Sequence, residues 1–171
     1  AALKARLQAM GLLYDRKFDC APTGLSPYLP KMSYRSPHTL ALQLVRSGAR
    51  VLDLGCAAGY MAAALNEEKK CSVTGVDNFP VLVAGMDEFH LHDLNDGLPR
   101  IDFEKFEYVL MLDVIEHLTK PELFLEQLRR AIALNPDTKL ILSTGNVGFF
   151  VTRFMLLFGQ FNYGKRGILD L

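Results

Sequence analysis

The stretch Leu112–Leu118, LDVIEHL, sets Asp113, Glu116 and His117 within five residues. Two carboxylates and an imidazole this close can serve three ends. The carboxylates can bond backbone N–H groups while the histidine packs beneath a sheet. His117 can act as a general base, since an unperturbed imidazole pKa near ~6.5 suits proton abstraction from a hydroxyl. The trio can instead hold a divalent cation that acidifies an acceptor oxygen. A second set lies earlier: Asp53, the loop Gly55-Cys56-Ala57-Ala58-Gly59, then Asp77 and Asp93. Glycines allow a sharp turn and a close approach to a ligand, and a carboxylate at a strand tip can bond the two hydroxyls of a ribose. A lone GxxxG is frequent by chance, and an isolated Asp77 reads equally well as a helix cap.

The surrounding elements decide. Ser36 as N-cap and Pro37 in the first turn open a helix that Gly48 closes. An alternation follows: strand 49–54, Ala-rich helix 57–69, strand 71–77, a weaker strand 88–93, a buried strand 106–113, and strand 138–144. Between the last two, Thr119 and Glu122 spell a capping box for a helix over about 120–134, ended by Asn135-Pro136. Short apolar strands alternating with helices predict an α/β fold, a doubly wound, mostly parallel sheet with helices on both faces. In such a sheet ligands lie beyond the carboxyl ends of the strands, where strand order reverses. Strand, glycines, helix, strand and acidic tip arrive in that order, which favours a ligand site. Residues 2–10 are helical in spacing and 15–35 irregular, so 1–35 reads as an N-terminal cap and 36–171 as the main domain.

Bulk properties narrow the partners. Lys+Arg and Asp+Glu are 19 each, so no net charge draws the chain to nucleic acid. Cys20, Cys56 and Cys71 form no CxxC pair and read as reduced thiols of a cytoplasmic protein. No uncharged apolar run reaches the ~18 residues of a membrane span. The apolar stretch 147–158, VGFFVTRFMLLF, reads first as a buried helix, and second as a contact with a lipid-like acceptor, a membrane surface or a second copy.

The loop also narrows the ligand. A dinucleotide site typically has GxGxxG, whereas Ala57 stands where a glycine would admit the pyrophosphate. A carboxylate at Asp53 repels a pyrophosphate and suits a cationic group. VLDLGCAAGY, VTGVD, HDLNDGLP and EYVLMLDVIEHL together resemble the class I S-adenosylmethionine-dependent methyltransferases, in particular the small-molecule enzymes similar to the ubiquinone-biosynthesis O-methyltransferases. The resemblance runs from about Ser36 to Asn146 and more weakly through FNYGKRGILDL. It implies a Rossmann-like fold and S-adenosylmethionine as cofactor. It also implies that Asp53, Gly55, Cys56, Ala57 and Gly59 line the methionine part of that cofactor. Asp77 with Asn78 would take the ribose, Asp93 with Leu94 the adenine, and Leu112 with Asp113 the sulfonium side. Ala57 departs from the family's middle glycine. Segment 78–87, with Pro80, is short where the family often has a full helix, so a loop is expected on the adenine side.

For the trio, the small-RNA 3′-end methyltransferases offer a similar Glu-x-x-Glu-His that, with a later histidine, holds a metal. Here Asp113 is shorter than the first glutamate, and no histidine follows His117. His117 as base with Glu116 beside it is therefore placed ahead of the metal reading. His38, His90 and His92 have local explanations in a first helical turn and along a strand. The full fold of this class has two further strands after the fifth, which 144–171 does not supply. Two rivals are a domain that binds the cofactor without transfer and a nicotinamide-dependent hydride-transfer domain. Three carboxylates kept at one cleft argue against the first, and Ala57 against the second. The acceptor is expected to be a small or lipid-like molecule methylated at oxygen.

Overall fold

The computed structural model describes residues 35–79, 85–146, 153, 154, 157 and 158. The expected helix 2–10, the cap segment, Pro80 and most of 147–171 lie outside them. Helix α1 (Pro37–Leu44) starts where Ser36 and Thr39 cap each other. The Ser36 Oγ accepts the Thr39 N–H at 3.2 Å and the Ser36 N–H donates to Thr39 Oγ1 at 2.8 Å. That reciprocal pair satisfies donors a helix start leaves open. The helix stops at Leu44 rather than at Gly48, whose N–H instead reaches the Lys69 carbonyl at 2.8 Å.

Strand β1 (Arg50–Leu54), helix α2 (Tyr60–Lys69), strand β2 (Ser72–Asp77) and strand β3 (Glu88–Leu91) follow. After them come strand β4 (Tyr108–Leu112), helix α3 (Pro121–Ile132) and strand β5 (Lys139–Ser143). The five strands form one sheet in the order β3-β2-β1-β4-β5, and every pairing is parallel. This is the expected α/β layer fold, with each strand ending within three residues of its expected limits.

Alternate side chains leave a strand on opposite faces, and both faces of this sheet are covered. Val51, Val73, Tyr108, Leu110 and Leu112 pack against α1 and α2 through Ala41, Met61, Ala62 and Leu65. Leu52, Leu54, Val76, Val109 and Met111 pack against α3 through Phe124 and Leu128. Full burial of each such side chain contributes about 2 kcal/mol. All five β4 residues are buried, as a strand covered on both faces requires.

The capping box expected at Thr119 and Glu122 is not formed. Lys120 is the N-cap, without a side-chain bond, and Pro121 supplies the first turn. Thr119 is engaged elsewhere: its N–H and Oγ1 both donate to Asn95 Oδ1, at 2.9 and 3.0 Å. A tertiary partner has displaced the local cap. The chain runs outward from β1 to β2 and β3, then returns to add β4 on the other side. Strand order thus reverses between β1 and β4, and in sheets of this kind ligands bind beyond the carboxyl ends of the strands at that point.

Candidate functional site

The loop after β1 is built by β2. The Gly55 and Cys56 N–H groups both donate to the Val76 carbonyl, at 2.8 and 3.1 Å, carrying the strand ladder into the turn. Gly55 has φ 78° and Gly59 φ 75°, the left-handed region that glycine enters without strain. Gly59 is the N-cap of α2, so the helix begins three residues later than the sequence suggests. Between them Ala57 also has a left-handed φ, 47°. An L-residue there is strained by about 1 kcal/mol. Ala57→Gly is therefore expected to raise stability by up to ~1 kcal/mol, less the extra freedom glycine gives the unfolded chain. Chemical denaturation reads this directly, and a loss above 1 kcal/mol would show that the loop does not need its left-handed turn.

What holds Ala57 in place is Asp77. The Asp77 Oδ2 accepts the Ala57 N–H at 2.8 Å, and Oδ1 accepts the Phe79 N–H at 3.1 Å. Each oxygen keeps a further lone pair for a hydroxyl donor. The exposed Asn78 lies between them in sequence, at the tip of β2.

Asp53 is the most deeply buried of the candidate carboxylates. It pairs in register with Gly75 of β2 and Leu110 of β4, in the middle of the sheet, and is 3% exposed. Its Oδ2 is buried and accepts no hydrogen bond from the described residues. Burial, with the negative charge of Asp77 adding to it, raises the Asp53 pKa to about 7. Burial first, then the charges of Asp53 and Asp77, push the Cys56 thiol up, so it stays protonated and is no nucleophile. Gly75, beside Asp53, has no Cβ because Met86 and Cys56 fill that space.

Asp93 follows β3. Its Oδ1 accepts the Asn95 N–H at 2.8 Å and caps a short 3-10 turn, Leu94–Asp96. The Leu94 side chain is buried among Leu52, Leu54 and Val76. The His92 N–H donates to the Asp77 carbonyl at 2.9 Å, which joins the β2 and β3 tips. His90 pairs with Glu88 at 3.1 Å and His92 Nε2 lies 2.9 Å from the Gly97 carbonyl, in line with their local reading. A cavity of about 140 Å³ bounded by Asn95, Leu118, Thr119 and Leu123 shares only Leu94 with the candidate residues.

The trio of LDVIEHL does not converge. Asp113 has φ 55° and follows directly on buried Leu112. Its Oδ1 accepts the Ser143 Oγ–H at 2.7 Å. A separate 3-10 turn, Ile115–His117, carries the other two. The Glu116 Oε1 accepts the Gly145 N–H at 3.1 Å, and His117 is exposed. Asp113 is outside that turn, so the three side chains do not project from a single helical turn. Among the described residues no group of three metal-ligating side chains is assembled. The carboxylates have turned to β5, and the metal reading loses its ligand set.

The structure thus joins Asp53, Gly55, Cys56, Ala57, Gly59 and Asp77 around one turn. It attaches Asp93 and Leu94 through β3, and sets Leu112, Asp113, Glu116 and His117 across the β4 side. Sequence reasoning misses Ser143, Gly145, Asn95 and Val114. Ser143 had a signal, its place at the end of a strand next to β4. Val114 had none, since its contact with Gly55 depends on the turn.

Residues 28–165 match the family model described as a methyltransferase domain. No curated protein matches the chain. Several solved structures are similar to it. The PH0226 protein from Pyrococcus horikoshii OT3 is 25% identical, with a TM-score of 0.49 over 72% of this chain and 58% of that one. A TehB-like SAM-dependent methyltransferase from Corynebacterium glutamicum is 23% identical, with 0.47 over 61% and 59%. A SAM-dependent methyltransferase from Geobacter sulfurreducens, in complex with S-adenosyl-L-homocysteine, is 18% identical, with 0.47 over 74% and 54%. The chain spans about half the length of such structures, between 40% and 59%. With the family model matched over most of its length, the chain belongs to the methyltransferase-domain family.

Proposed function

We propose that residues 36–171 form the S-adenosylmethionine-binding domain of a methyltransferase, with 1–35 as a cap that helps recognise the acceptor. The observation that carries the reading is the buried Asp53 oxygen without a partner among the described residues, two residues before a glycine turn at the reversal of the sheet. A buried carboxylate in that state calls for a cationic partner. The methionine end of S-adenosylmethionine carries an ammonium group and so fits, whereas a pyrophosphate would not. Asp77 and Asn78 would hold the ribose, Asp93 and Leu94 the adenine, and the backbone of Gly55, Cys56, Ala57 and Gly59 the methionine part. Leu112 and Asp113 would bound the sulfonium side.

When bound, the cofactor supplies a methyl group already activated by its sulfonium. The protein then has to align an acceptor and remove one proton. His117, exposed at the end of the turn after β4, is proposed as the base that takes the proton from an acceptor hydroxyl. Glu116, bonded to Gly145, supports that turn. The acceptor is proposed to be a small or lipid-like molecule of the kind methylated by ubiquinone-biosynthesis O-methyltransferases, and the site of action the cytoplasm. Phe154, Leu157 and Phe158, exposed by 60%, 80% and 68%, support an apolar acceptor or a shallow contact with a membrane. Among the described residues no helix is long and apolar enough to cross one.

Thermal shifts with S-adenosylmethionine, S-adenosylhomocysteine and NAD test the cofactor. Stabilisation by the two adenosyl ligands is expected, and stabilisation by NAD alone overturns the reading. Replacing His117 with alanine is expected to slow turnover by about a hundredfold while S-adenosylmethionine affinity holds. Turnover is followed as S-adenosylhomocysteine formed from S-adenosylmethionine in the presence of a panel of phenols and hydroquinones. Unchanged turnover removes His117 from the chemistry.

A further inference from the structure

Asp113 stands in a left-handed conformation that few L-residues adopt, and Ser143 bonds both its backbone and its side chain. With φ 55° it is left-handed, at about 1–2 kcal/mol for an L-residue, somewhat less for aspartate. Ser143, the last residue of β5, pairs with Leu112 in register, which brings it alongside Asp113. The Ser143 carbonyl accepts the Asp113 N–H at 3.2 Å, and the Ser143 Oγ lies 3.0 Å from the same N–H. That Oγ also donates to Asp113 Oδ1 at 2.7 Å. One hydroxyl thus accepts a hydrogen bond from the Asp113 backbone N–H and donates one to the Asp113 side chain. A carboxylate acceptor makes the second bond the stronger of the two.

Two consequences follow along the chain. Val114, next to Asp113, fills the space in which a Cβ on Gly55 would sit, so the β4 exit and the cofactor turn are in direct contact. Two residues later Glu116 bonds Gly145, two residues beyond Ser143. The segment 113–116 is therefore fastened to 143–145 at both ends, and the Val114 contact with Gly55 lies between the two fastenings.

We infer that Ser143 is a positioning residue for the cofactor cleft: its hydroxyl fixes Asp113 in the left-handed conformation, and thereby sets Val114 against the Gly55 turn. The inference rests on the proposal that this cleft binds S-adenosylmethionine. Its logic is that of preorganisation, in which a supporting hydrogen bond matters because a small displacement of a packed loop weakens every contact the loop makes.

The test compares Ser143→Ala and Ser143→Thr with the parent by amide hydrogen exchange, thermal melting and calorimetric titration with S-adenosylhomocysteine. In the alanine variant, exchange at Asp113–Leu118 is expected to rise while β4 stays protected. Affinity is expected to fall about tenfold in fully folded protein, and threonine, which keeps the hydroxyl, to restore both. Unchanged exchange at 113–118 overturns the inference. So does a lower melting temperature with affinity intact, which would make Ser143 a stability residue alone, and so does a threonine variant that behaves like alanine. If the parent binds no adenosyl ligand, the functional proposal fails and the positioning role with it. The exchange data would still report the Ser143–Asp113 link, so the two failures are told apart.

Discussion

Replacing Asp53 with asparagine is expected to stabilise the chain above pH 7 and to weaken its hold on S-adenosylmethionine. The carboxyl group has a pKa of about 7 in the folded chain against an ordinary 3.8. The folded state therefore binds this proton more tightly than the unfolded state. The stability it lends is complete below about pH 4 and is lost as the pH rises through 7. The gap between the two values corresponds to roughly 4 kcal/mol. Asparagine does not ionise, so the loss disappears, although its amide would need a partner that the buried site does not offer, at about 1–2 kcal/mol. A net gain of about 2 kcal/mol at pH 8.5 remains, or about 5 °C in melting temperature for a chain of this size. Binding of S-adenosylhomocysteine should fall tenfold to a hundredfold, the worth of a buried charge-assisted bond. Melting and titration at pH 5 and 8.5 check both parts. A parent chain equally stable at the two values, or a variant that binds as tightly as the parent, would sink the prediction.

Gly55→Ala should be the most damaging single change at the site. The backbone there has φ 78°, which asks about 1–2 kcal/mol of any L-residue. The added Cβ would also collide with Val114. Overpacking of this kind brings a further 1–3 kcal/mol, so a total near 3 kcal/mol is expected, with loss of cofactor binding. Val114→Ala in the same chain removes the collision and leaves the backbone strain. The pair should therefore be non-additive by about 1–2 kcal/mol, measured by denaturant unfolding of the two single variants and the double variant. Strict additivity would mean that the turn moves away from Val114 at no cost.

Much of this site could be read in the chain because its parts lie at strand ends, and strand ends are marked by turns. Asp53, Gly55, Gly59 and Asp77 were placed by the alternation of apolar strands with helices, and the sheet order agrees. Thr119 shows the limit of local signatures. Its spacing to Glu122 suits a capping box, but Asn95 from another part of the chain competes for the same N–H and wins. The trio shows the same limit on a larger scale. Asp113, Glu116 and His117 are neighbours in sequence, yet the two carboxylates are taken up by Ser143 at the end of β5 and by Gly145 just after it, which the fold brings alongside β4. The Asp53 pKa could not be read either, since it arises from complete burial in the middle of the sheet.

The position of β1 also bears on how the chain reaches this state. Strand β2 follows β1 after one helix, and β3 adds outside β2, so that half of the sheet closes through short loops. Strand β4 pairs with β1 across all the chain between Leu54 and Tyr108, the largest sequence separation between neighbouring strands of the sheet. Loop closure grows less favourable with length, and non-local strand pairing is slow. The β1–β4 seam is therefore expected to form late in folding, and it is the seam beside which the cofactor is proposed to bind. A bound cofactor would bridge both halves there and make the final docking step harder to reverse.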